Sequence, residues 1–235
     1  MEEEILKGGE NSSSIVRIGN YVHRSSQGNR KLYNEVLKHL ESHGFRYSPK
    51  IYGLDDSGRD ILSFIPGSTM LGIPFSLSQL QACVRILKEF HDYCSLLTSK
   101  GVKETICHRD FSPWNVIFLH EMPVGIIDFD EVTPGNRIED FAYFLWTFLD
   151  IGQHKKEDDL LISIIHQLAQ EYSGLNISNL SEKLVEQQER ILEFRKSQLD
   201  PSFSNLNKDL IKSRVNSIKE SIMWVKSHAS QLNKT

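Results

Sequence analysis

Residues 106–118 read ICHRDFSPWNVIF. Two short apolar runs flank a polar interruption that holds His108, Arg109, Asp110 and Asn115. A plain turn needs Gly, Asn or Pro and little else, so this loop carries more hydrogen-bonding chemistry than its geometry demands. VIFL (116–119) and VGII (124–127) follow, joined by HEMP, and read as a hairpin with Asp128 just past its end. That hairpin returns Asp128 to the side of the loop. A chain built this way must converge two carboxylates and an amide, Asp110, Asn115 and Asp128, on one point.

The rest of the 235 residues reads as a frame for that point. The first third is β-rich: EILK, SSIVRI and YVHR are short runs separated by Gly8-Gly9 and by Gly19-Asn20, and the second separator is a hairpin signal. NRKLYNEVLKHLESHG follows as a helix with Leu32, Val36, Leu37 and Leu40 on one face and Gly44 at its end. KIYGL and DILSFI flank DDSGR as a second hairpin. PGSTMLGIP (66–74) marks a boundary, and beyond it the chain turns helical. Ser78 with Gln81 reads as a capping box for a helix whose apolar face holds Leu80, Cys83, Val84, Leu87, His91 and Cys94. RIEDFAYFLWTFL is apolar nearly all round and reads as a buried helix. Three amphipathic helices are expected near 157–173, 180–198 and 207–232.

Composition excludes several classes. A net charge of -4 gives no general attraction to nucleic acid or an anionic membrane. The longest apolar run, FAYFLWTFL, is too short to span a bilayer. Three cysteines without CxxC spacing and an acidic start, MEEEILKGGE, fit a cytoplasmic protein without a disulfide framework. No G-K-S/T is present, so no P-loop is expected, and no H-E-x-x-H supports a zinc hydrolase.

Oxygen donors of the Asp110, Asn115 and Asp128 kind suit Mg2+, which takes one or two carboxylates together with substrate phosphates. One carboxylate remains to orient a nucleophilic hydroxyl, which completes the equipment of phosphoryl transfer. At these residues the chain resembles a family. HRDFSPWN fits the kinase-like catalytic loop H-x-D-x-x-x-x-N, and IIDFD resembles the metal motif of the aminoglycoside phosphotransferase group. LSFIPG resembles that group's link between lobes, and RIEDFAYF the segment after the metal motif. The closest flavour is the small bacterial branch with trifolitoxin-immunity-like proteins.

The resemblance implies an α+β, protein-kinase-like bilobal fold, with a small β-rich N-lobe (1–66) and a larger helical C-lobe (67–235). It implies ATP and Mg2+ as cofactors and transfer of a γ-phosphoryl group to a hydroxyl of a small molecule. Asp110 would be the catalytic base, and Asn115, Asp128 and Asp130 the metal residues. Gly8, Gly9 and Ser12 would cover the phosphates, and Ser63, Phe64 and Ile65 would face the adenine. Arg24 would hold phosphate where such folds use Lys, with Glu35 as its ion-pair partner, and Asp140 would brace the catalytic loop. Arg24 in place of Lys, the sparse glycine loop and DFD in place of D-F-G are departures. They motivate an alternative: a catalytically weak kinase-fold immunity or binding protein that holds a nucleotide, a peptide or a protein partner.

Overall fold

The computed structural model describes residues 3–6, 15–25, 28–97, 104–203 and 206–234. The chain divides into two compact units, Met1–Arg137 and Ile138–Thr235. The fold class is α+β and kinase-like, as expected from the order of the elements.

The first unit opens with a five-stranded antiparallel sheet in the order β1-β2-β3-β5-β4. Its strands are β1 (Glu3–Ile5), β2 (Val16–Ile18), β3 (Tyr21–Arg24), β4 (Ile51–Leu54) and β5 (Asp60–Ser63). Gly19, at φ 61, starts the two-residue turn that pairs Ile18 with Tyr21, the positive φ such hairpins require. Helix α1 (Arg30–Ser42) lies between β3 and β4; Asn29 caps it through a bond from the Leu32 amide. Its buried face is Tyr33, Val36, Leu37 and Leu40, so Tyr33 takes the place expected for Leu32. Gly44, at φ 85, follows its end, where a left-handed residue stops a helix.

After β5 the chain is pinned to the hairpin that holds Phe118. Ser68 and Phe118 exchange two backbone hydrogen bonds of 3.0 and 2.8 Å. At Gly67 a side chain would sit 2.4 Å from the Phe118 carbonyl oxygen, so this approach admits only glycine. Helix α2 (Leu77–Cys94) starts two residues earlier than the Ser78–Gln81 reading: the capping box is Ser76 with Gln79. The expected apolar face is buried in full, His91 included.

β6 (Thr105–Cys107) pairs with β9 (Thr133–Gly135), and β7 (Val116–Leu119) pairs with β8 (Met122–Ile126). The β7–β8 turn is His120-Glu121, both at positive φ, the conformation that fits a two-residue connection to strand twist. The β6–β9 pair was not expected. Its strands are three residues long and Pro134 lies inside one of them, which is tolerated at an edge.

The second unit is helical. Helix α3 (Arg137–Leu149) enters it with Ile138, Asp140 to Leu145, Phe148 and Leu149 buried. Next come α4 (Asp158–Tyr172), α5 (Leu180–Ser197), α6 (Lys208–Ser227) and α7 (Ala229–Leu232). Leu192 joins Ile211, Val215, Ile218 and Ile222 of α6 in one cluster, with Trp146 and Leu199 packed against it. Gly152 at φ 89 approaches α6 so closely that a Cβ would lie 2.3 Å from the Ser221 Cα. Among the described residues, no helix is long and apolar enough to cross a membrane.

Candidate active site

The catalytic-loop residues lie between β6 and β7, inside the first unit. The Asn115 amide nitrogen donates to Asp110 twice, to the backbone oxygen at 3.0 Å and to Oδ2 at 2.8 Å. The Trp114 indole N–H adds a longer bond to the same Oδ2, 3.4 Å away. One carboxylate is thereby fixed from two directions. Because the Asn115 nitrogen faces Asp110, its Oδ1 is left as an acceptor for another ligand.

Asn115 also ties the loop to the next motif. The Ile127 amide donates to the Asn115 carbonyl at 2.9 Å, next to the Val116–Ile126 rung of the hairpin. Asp128 is the following residue. It adopts φ 66, and Arg109 in the catalytic loop adopts φ 70. Left-handed backbone at residues other than glycine is uncommon and costs on the order of 1–3 kcal/mol. Both strained residues flank the polar cluster, where the two loops turn toward each other. His108 is fully buried, with its ring 4.8 Å from that of Phe129 and near Phe90 and Phe111. Its surroundings are those of a packed core histidine.

The first sheet brings Arg24 to this cluster. One guanidinium nitrogen donates to Asp128 Oδ1 at 3.0 Å and the other to Asp130 Oδ2. Only 12% of the Arg24 side chain is exposed, against 44% of Asp128 and 14% of Asp130. Burial works against the charge, yet Asp128 and Asp130 outweigh it and hold the guanidinium pKa above its ordinary value. Burial pushes the Tyr33 phenol up, while the nearby Arg24 pulls it back. Asp60 is buried opposite Arg24 on β5 and takes the Arg30 guanidinium at 2.5 Å. Before α1, a Cβ on Gly28 would meet the Asp130 carbonyl oxygen at 2.5 Å, so the chain entering α1 abuts the metal-motif loop.

The structure thus joins Asp110 to Asn115, and Arg24 to Asp128 and Asp130. Glu35 requires a correction: it is exposed and, among the described residues, forms no ion pair, whereas Arg24 is held by the two aspartates. The reason is helical phase. Tyr33 is buried, and two residues further the helix has turned by about 200°. Gly8, Gly9 and Ser12 lie outside the described residues. In the linker, Ser63 Oγ accepts from the Lys50 amide at 2.9 Å. The Phe64 amide donates to the Asn20 carbonyl at 2.9 Å, and the Phe64 ring lies under Arg17. The Ile65 side chain occupies the space over Gly125. A cavity of about 410 Å³ touches Ser63, Phe64 and Ile65 together with Arg46, Lys50 and Tyr52. Asp140 is buried in the first turn of α3.

Three residues escaped the sequence reading: Tyr33, Trp114 and Asp60. Tyr33 was legible in the 33, 36, 37, 40 spacing of α1. No local signal marked the other two.

The donor set fits a divalent cation in kind, since Asn115, Asp128 and Asp130 supply hard oxygen atoms. Two of those oxygen atoms are engaged by the Arg24 fork.

Known proteins resemble this chain in sequence over part of its length and in fold. Residues 95–173 match the model of the phosphotransferase enzyme family, APH. The trifolitoxin immunity protein of Rhizobium leguminosarum bv. trifolii is 27% identical over 162 residues, 62% of this chain. The match spans 62% of that relative's length. A microcompartment-associated aminopropanol kinase superposes with a TM-score of 0.70 at 11% identity, covering 99% of this chain and 93% of its own. An amicoumacin kinase in complex with AMP-PNP, Ca2+ and Ami gives 0.67 at 11% identity, covering 94% and 87%. The chain resembles the phosphotransferase enzyme family in sequence, and its fold is kinase-like.

Proposed function

We propose that the protein is an ATP-dependent phosphotransferase that moves a γ-phosphoryl group to a hydroxyl of a small molecule. The observation that carries this reading is Asp110, oriented by Asn115 and Trp114 one hairpin away from Asp128. A carboxylate fixed this way positions an acceptor hydroxyl and takes its proton as the oxygen attacks. Asn115, Asp128 and Asp130 would hold Mg2+, whose chemistry is to neutralise charge on the phosphates. Arg24 would bind phosphate oxygens through its planar fork. Ser63, Phe64 and Ile65 would face the adenine, with Ile65 the freest of them because the Phe64 amide is already bonded. Gly8, Gly9 and Ser12 would cover the phosphates. We read residues 1–66 as the N-lobe and 67–235 as the C-lobe, a boundary set by the linker, and the protein as cytoplasmic. The names of the aminopropanol and amicoumacin kinases favour a small hydroxylated acceptor.

The test is Mg2+-dependent ADP release from ATP across amino alcohols, choline, sugars and aminoglycosides. Acceptor-dependent release supports the reading. Binding of ATP without release or transfer on any acceptor overturns it. That result favours the second reading, a binding or immunity protein, which the Arg24 lock on the metal motif and the trifolitoxin immunity relative motivate.

A further inference from the structure

The guanidinium of Arg24 bridges the two carboxylates expected to hold the metal. We propose that Arg24 is a built-in competitor for the divalent cation, so that metal binds tightly only when a polyphosphate draws Arg24 away. The proposal rests on the assignment of Asp128 and Asp130 as metal residues in the function proposed above.

Three observations carry it. The fork engages Asp128 Oδ1 and Asp130 Oδ2. Mg2+ needs oxygen atoms at about 2.0–2.1 Å in octahedral array, so the cationic fork competes with it for the same two oxygen atoms and for their charge. The competitor is also permanent. Arginine is not deprotonated in proteins, and the side chain is mostly buried, where water screens the pair less. Finally, Arg24 is anchored only at its outer end. Its Nε is buried and, among the described residues, has no hydrogen-bond partner. An unsatisfied buried donor raises the free energy of the locked state, and a pivot toward phosphate oxygens would relieve it while keeping charge-assisted bonds.

Arg24 and Arg30 face Asp60, Asp128 and Asp130, and Arg30 is taken by Asp60. Releasing Arg24 withdraws its positive charge from both Asp128 and Asp130, which favours a dication there. A polyphosphate supplies both halves of the exchange, oxygens for Arg24 and a metal-binding edge. Metal and nucleotide affinity then depend on each other by the same factor.

The experiment is Mn2+ binding, followed by the loss of the free-ion electron paramagnetic resonance signal, with and without AMP-PNP. The proteins are wild type, Arg24→Gln, Arg24→Lys and Asp128→Ala. Arg24→Gln should bind Mn2+ alone more tightly than wild type, by on the order of 10–100-fold. Its further gain on adding AMP-PNP should be smaller than that of wild type. Arg24→Lys, which has charge but no fork, should fall between the two and carries the test if Arg24→Gln does not fold. Asp128→Ala should lose the binding. Equal Mn2+ affinity of wild type and the folded Arg24 variants overturns the proposal, as does tight Mn2+ binding by Asp128→Ala. Failure of the phosphotransferase reading looks different. Mn2+ binding would respond to Arg24 as stated, while no acceptor is phosphorylated.

Discussion

The two units of this chain bury polar groups to different ends. In the first unit, Asp110, Asn115, Asp128 and Arg24 gather at loops whose backbone is strained at Arg109 and Asp128. In the second unit, the contact between α5 and α6 buries a neutral pair instead. Gln188 donates to Ser221 Oγ at 2.8 Å, and Ser221 donates to the Ile151 carbonyl at 2.5 Å, among apolar helices. The first arrangement is costly for folding and is the one the proposed chemistry would use. The second joins α5, α6 and the chain after α3 and offers no titratable group. Stability and reactivity should therefore separate cleanly between the units.

Asp110→Asn should give the largest effect. It keeps the shape of the side chain and removes the base, so turnover with a productive acceptor should fall by on the order of 10²–10⁴. The thermal midpoint should hardly move. A variant with undiminished turnover would remove Asp110 from the chemistry and erase the contrast. Gly152→Ala is the opposite case. The new methyl would need a left-handed backbone and would collide with the Ser221 Cα. The cost should be about 2–5 kcal/mol in denaturant unfolding, with nucleotide affinity per folded molecule unchanged.

Ser221→Ala should be milder, about 1–3 kcal/mol, because the Ile151 carbonyl and the Gln188 amide each lose a partner. Gln188→Leu in the same background tests whether the pair acts as a unit. With Ser221 already gone, the second change should cost less than it does alone. Additive losses would mean that the two bonds are independent.

The same contrast decides what was legible. The placing of Asp110 beside Asn115, one hairpin from Asp128, could be read because these residues are local to one another in sequence. Arg24 was recognisable as a strand-end cation, but its partners are 104 and 106 residues away. Nothing near it in sequence announces them. Glu35 was misplaced because a helix read one residue out of phase has its faces turned by about 100°, and Leu32 beside Tyr33 made both phases plausible. The start of α2 was ambiguous for a similar reason. SLSQLQ contains Ser76-x-x-Gln79 and Ser78-x-x-Gln81, and only the fold selects the first. In the second unit the periodicity of α6 was enough to find its buried face, Ile211, Val215, Ile218, Ile222 and Val225. It said nothing of Gly152 or of the Gln188–Ser221 bond, since close approaches between helices leave no periodic trace.

The smallest expected effect lies at the far end of the first sheet. Asp55 gathers the β4–β5 turn: it pairs with His23 at 3.0 Å and accepts from the Ser57 and Arg59 amides and from the Arg59 side chain. The bond to His23 is the largest cause; burial opposes it, and the bonds of Arg59 and Ser57 add to it, so that the carboxyl is held well below the usual carboxylate range. A depressed native pKa contributes stability that is present above the unfolded value, roughly 3.9 for Asp. It is lost as pH falls through the native value. Wild type should therefore exceed Asp55→Asn in stability by a constant margin from neutral pH down to about 5. Below about pH 4 the margin should shrink as the unfolded chain takes up its proton first. Urea midpoints of both proteins along a pH series read this directly. A margin that stays flat into acid would mean that Asp55 holds the turn through shape alone.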